Sequence, residues 1–204
     1  MILKNKWVLI AGIFFIIIIL FFITKTRQLV PQKRFYESEI SDYLKDGDII
    51  CRLGDRLWSQ YFKDISPYDK RFSHIGIIKI NDDHKITVIH AEGRMAEGKD
   101  SVNETDLNEF IEIAKTIGVY RLKDFDGSLI SKAALEYIGY PFDWNFNLAE
   151  EDKLYCTELL YVIVKKITPD IQLQRVFQKE LNREIIPLEA ISKSEYFDEI
   201  LFIN

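Results

Sequence analysis

The stretch that most constrains this chain is LYCTELLYVIVKK, Leu154 to Lys166. Apolar side chains at Leu159, Leu160, Val162, Ile163 and Val164 predict a helix that is apolar almost all round and therefore buried in the core. Cys156 falls in its first turn, where backbone N–H groups lack helical partners and the helix dipole is positive. A thiol there is expected to shift toward thiolate, the form that attacks carbonyl carbon. The plain alternative is an inert, small, buried apolar residue. On this stretch alone the inert reading is favoured; the rest of the chain changes that.

At the other end, Trp7 to Ile23 is apolar or glycine throughout, behind Lys4 and Lys6. The run is near the lower limit for spanning a bilayer, and no small-residue cleavage site follows it. It reads as an uncleaved N-terminal membrane anchor over residues 1–27, with residues 28–45 as a tether and 46–204 as one globular domain. Lys4 and Lys6 on one flank face Lys25, Arg27, Lys33 and Arg34 on the other, so the positive-inside rule points weakly toward a cytoplasmic domain. Short anchors often place the following domain outside, and an extracytoplasmic domain is the reading adopted. A net charge of −5 supplies no basic surplus for phosphates, which argues against a nucleic-acid partner. Two cysteines, Cys51 and Cys156, match neither a disulfide framework nor paired zinc-ligand spacing.

Within the domain, a short helix is expected around Tyr36 to Leu44. The Asp46-Gly47-Asp48 turn precedes a strand at Ile49 to Leu53. Gly54 to Phe62 is read as a short helix. Phe72 to Ile80 and Lys85 to Ala91 are rich in β-branched residues and flank Asn81-Asp82-Asp83, the signature of a hairpin. Helices are expected over Thr105 to Ala114, Ser128 to Ile138 and Gln172 to Leu181, with strands at Val119 to Leu122 and Ile200 to Ile203. The loops Ser59 to Arg71 and Glu92 to Asn108 are the expected seats of specificity.

The hairpin carries His74 on its first strand and His90 on its second. Cross-strand neighbours lie roughly 5 Å apart, so the two can meet if the register allows. A base held in a rigid strand beside a second polar group is what a cysteine nucleophile needs. Glu92 points to the same side of an extended strand as His90 and competes with it for the orienting role. Taken singly, each strand histidine could equally be a half-buried structural residue. His84, by the turn, reads as a solvated group and Cys51 as core.

Five segments, GDIICR (47–52), FSHIGII (72–78), VIHAEG (88–93), GYPFDWNF (139–146) and YCTELLY (155–161), occur in an order that resembles the YiiX/YebB-like permuted papain-like cysteine hydrolases. These belong to the NlpC superfamily and are related to lecithin retinol acyltransferase. The resemblance implies an α+β, circularly permuted papain-like fold in which an antiparallel sheet packs against the helix bearing the nucleophile. It implies Cys156 as nucleophile and His74 as base. It aligns His90 with a third position that is usually acidic in YiiX-like proteins and histidine in the acyltransferases, which keeps Glu92 in play.

The implied chemistry is hydrolysis or transfer of an acyl group from an amide, ester or thioester, with a cell-wall peptide or acyl lipid as substrate and no cofactor. One rival is a membrane-tethered binding module of the same fold without turnover. Another, less favoured, is a zinc site built from His74, His90 and Cys156, which lacks a short-spaced ligand pair.

Overall fold

The computed structural model describes residues 35–55, 59, 62–64, 66, 68–93 and 100–204. The Trp7 to Ile23 run lies outside these residues, as does most of the helix expected over Gly54 to Phe62. Among the described residues no helix is long and apolar enough to cross a membrane.

A six-stranded antiparallel sheet forms the centre. Its strands are β1 (Ile49–Gly54), β2 (His74–Ile80), β3 (Ile86–Glu92), β4 (Ser101–Asp106), β5 (Ala114–Leu122) and, near the C-terminus, Phe197–Ile203. Their spatial order is β4-β3-β2-β1-β5 with Phe197–Ile203 at the far edge. The expected hairpin is β2–β3, paired from Ile77↔Ile89 to Ile80↔Ile86.

Alternation along these strands sends side chains into two cores. On one face Ile49, Cys51, Ile75, Ile77, Ile89 and Ala91 are buried against helices. Those helices span Gly127–Leu135 and Cys156–Ile167, the second being the cysteine helix. It buries Leu159, Leu160, Ile163 and Val164, each side chain contributing about 1.5–3 kcal/mol as an upper bound. Its last turn exposes Lys165 and Lys166, so the helix is less uniformly buried than its sequence suggests. On the opposite face Ile50, Ile78, Val88 and Val119 meet a short helix, Leu107–Glu112, through Leu107, Phe110 and Ile111. Phe35, Ile40 and Leu44, in the segment read as a tether, are buried in this second core.

Three expectations need correction. Residues 101–106 form strand β4 rather than loop and helix start, with Asp106 capping the helix that begins at Leu107. Its sequence SVNETD is polar because an edge strand leaves one side in solvent. Gln172 to Leu181 is not helical: Val176–Gln178 pairs with Arg183–Ile185 in a small hairpin whose turn places Asn182 at φ 53. A one-turn helix, Glu189–Ser192, also follows Pro187 where none was expected.

Gly47 is required by its turn. It adopts φ 80, and a side chain there would collide with the backbone of Gly127 at the start of the neighbouring helix.

Candidate active site

Recorded pairing between β2 and β3 stops at Ile77↔Ile89, leaving the His74 end of β2 beyond the ladder. There the rings of His74 and His90 meet edge to face, with His74 Nε2 2.9 Å from His90 Nδ1. On its far side His90 Nε2 lies 3.1 Å from Thr105 Oγ1 of β4. His90 is 1% exposed, whereas His74 is half-buried. Gly76 makes the meeting possible, because any β-carbon there would press on the His90 Cβ at 3.2 Å and on the Phe110 ring at 3.3 Å.

Phe110 is the floor of the cluster. Its ring centroid lies 5.7 Å from that of His74 and 5.1 Å from that of His90. The Arg52 guanidinium stacks 4.2 Å above the same ring. Arg52 is buried and donates to the Phe110 carbonyl and, at 2.9 Å, to Glu92 Oε1. Glu92 is therefore held as the partner of a buried cation, and its other oxygen stands 3.8 Å from His90 Nδ1.

The cysteine helix packs on β2 and β3 and presents Cys156 at its first position. Backbone amides of Ile75, Thr157 and Cys156 face the sulfur, so the thiol lies beside the residue that follows His74. Both flanking residues lock this helix start to the backbone of one residue, Ile186. Tyr155 Oη accepts from the Ile186 N–H at 2.8 Å, and Thr157 Oγ1 donates to the Ile186 carbonyl at 2.6 Å. Glu158, 2% exposed, accepts from the Tyr155 N–H at 3.3 Å.

Electrostatics correct one expectation. Burial pushes the Cys156 thiol up to about 11, against the opposing pull of the three amides and of the Arg52 charge. Desolvation opposes the helix-start effect and is the larger of the two. Burial likewise pushes the Glu158 carboxyl up to about 8.

The structure thus brings His74 and His90 together, sets Cys156 over the start of β2 and pairs Glu92 with Arg52. His84 is exposed at the turn with φ 61, and Cys51 is core at 1% exposure. Sequence reasoning missed Arg52, Thr105, Gly76 and Phe110. One signal was available: Arg52 is a lone charge in the otherwise apolar IICRL strand.

Comparison with known proteins adds the following. Residues 43–185 match a family described as permuted papain-like amidase enzymes, YaeF/YiiX, C92 family. No curated protein sequence matches the chain. Among solved structures it is similar to one titled as the metalloprotein yiiX from Escherichia coli O157:H7, with TM-score 0.63 and 17% sequence identity. That match covers 77% of this chain and 96% of the other, and at such identity it speaks for the fold alone.

Proposed function

This chain belongs to the permuted papain-like amidase family of YaeF and YiiX, and from that membership we propose that Cys156 is the nucleophile and His74 the base of a cysteine hydrolase or acyltransferase. The observation that supports this best is the His74–His90 contact at 2.9 Å, with the Cys156 sulfur set against the Ile75 amide next door.

Of the two tautomers that serve both ring contacts, one places the His74 lone pair on Nδ1, where the thiol proton can be taken. His90 Nε2–H donates to Thr105 Oγ1, and His90 Nδ1 accepts from His74 Nε2–H. The lone pair of His74 then lies on Nδ1, which takes the thiol proton. Burial disfavours the charged sulfur, which supports a transfer that accompanies attack rather than preceding it. The sulfur bonds to the carbonyl carbon of an amide, ester or thioester, and the C=O electron pair moves onto oxygen. The Cys156 N–H helps to stabilise that oxyanion. Collapse breaks the bond to the leaving group, which takes the proton from His74. Water (or an amine) next gives its proton to Nδ1, attacks the acyl-enzyme and releases the thiol.

The similar structure's description as a metalloprotein raises a second reading. His74, His90 and Glu92 could offer ligand atoms within 4.8 Å of one another. Ligands bound to zinc at roughly 2.0–2.2 Å in a tetrahedron sit about 3.3–3.6 Å apart. A 2.9 Å contact between ring nitrogens instead fits a shared proton, and Arg52 already supplies the positive charge on Glu92. The cluster as arranged does not fit a dication.

The proposed substrate is an acyl lipid or a cell-wall peptide, with the Trp7 to Ile23 run as a single-pass anchor and the catalytic domain outside the membrane. The test is turnover by the detergent-solubilised full chain of p-nitrophenyl butyrate and of an aminoacyl coumarin amide. Cys156→Ala is expected to abolish release of product. Full activity in that variant refutes the assignment and favours a binding module.

A further inference from the structure

The proton arrangement above requires His90 to keep its proton on Nε2, yet a carboxylate oxygen of Glu92 stands 3.8 Å from Nδ1. If Glu92 captured Nδ1–H, His90 could no longer accept from His74. The His74 proton would then move to Nδ1, the position needed for the thiol. What prevents this is Arg52. Its guanidinium holds Glu92 Oε1 at 2.9 Å while its other arm is fixed to the Phe110 carbonyl and its plane to the Phe110 ring. We infer that Arg52 is a positioning residue which, by holding Glu92, keeps His90 in the Nε2–H form and so assigns the orienting role to His90.

This rests on the proposed nucleophile–base reading and adds a residue that acts only through others. Its geometry is overdetermined. Arg52 and His74 are paired neighbours across β1 and β2, and His90 and Glu92 lie on one face of β3. Phe110 touches Arg52, His74 and His90 together. The Arg52 charge also acts on the Cys156 sulfur. Cys51 and Tyr155, two further titratable groups that interact with that sulfur beside His74, are both pushed upward by burial and stay neutral.

The test uses the full chain in detergent with 15N-labelled histidine. The chain has three histidines, so long-range proton–nitrogen spectra resolve each ring, with exposed His84 as internal reference. The wild type is expected to show His90 as Nε2–H. In Arg52→Met the released carboxylate is expected to accept from His90 Nδ1–H, so favouring the proton at Nδ1 and raising the His90 titration midpoint by about 1–3 units. Arg52→Met/Glu92→Gln is expected to restore the Nε2–H form. Arg52→Gln retains an amide donor without the charge and is expected to shift His90 the same way if the Met variant does not fold.

An unchanged His90 tautomer and midpoint in a folded Arg52→Met or Arg52→Gln chain overturns the inference. So does a shift that Glu92→Gln fails to reverse. Failure of the underlying reading looks different: iodoacetamide then modifies Cys156 at the same rate with and without His74, whatever the tautomer of His90.

Discussion

Gly76→Ala tests the packing that brings the two histidines together. The new methyl would collide with Val88 Cγ1 and meet the His90 Cβ at 3.2 Å and Phe110 Cε2 at 3.3 Å. None of these neighbours can yield into solvent, since Val88 is 0% exposed and His90 and Phe110 are each 1% exposed. Forcing a methyl into such a site costs about 1–3 kcal/mol. For a domain of this size that is a fall of about 2–12 °C in Tm. The strain is directional, because displacing the His90 Cβ lengthens the 2.9 Å contact to His74 and slows alkylation of Cys156 as well. Thermal unfolding by circular dichroism on Gly76→Ala, Val88→Ala and the double variant provides the assay. Val88→Ala alone should cost about 2 kcal/mol. The double variant should cost at least about 1 kcal/mol less than the sum, because the first atom in the way has gone. Additive costs, or a Gly76→Ala chain within about 0.5 kcal/mol of wild type, would refute the steric argument.

Two further outcomes follow from the cysteine helix. Thr157→Val keeps the side-chain shape but strips the Ile186 carbonyl of its 2.6 Å donor; urea unfolding should show a loss of about 1–3 kcal/mol. Glu158 has a folded-state pKa of about 8, raised above its ordinary 4.5. Between those values the folded chain holds a proton that the unfolded chain has lost. Stability should therefore fall as pH rises through this window, by at most about 1.4 kcal/mol per unit, and level off above it. Glu158→Gln should flatten that slope, and unfolding midpoints across the window check it.

The elements legible in the sequence were those whose signal is local. The β-branched runs around His74 and His90 and the apolar period of the Cys156 helix marked the hairpin and the cysteine's element. Polar β4 was hidden because an edge strand with one wet side carries no apolar alternation. IQLQRVFQKE has helical composition, but its register is set by a turn at Asn182 that accepts a left-handed backbone. Arg52 and Glu92 are forty positions apart, so their pairing is a product of strand order. The upward pull on the Cys156 thiol was hidden for the same reason: the helix dipole is local and readable, whereas desolvation depends on everything that packs around the sulfur.

The central claim is that His74 activates Cys156. Iodoacetamide labelling of the full chain across roughly pH 5 to 10, with peptide mapping of Cys156 and Cys51, tests it directly. The account predicts that Cys156 in the wild type reacts at neutral pH at least about tenfold faster than in His74→Ala. In that variant the rate should keep climbing with pH as befits a buried thiol raised to about 11, while Cys51, 1% exposed, stays silent in both. Identical pH profiles for Cys156 in the two chains would contradict it.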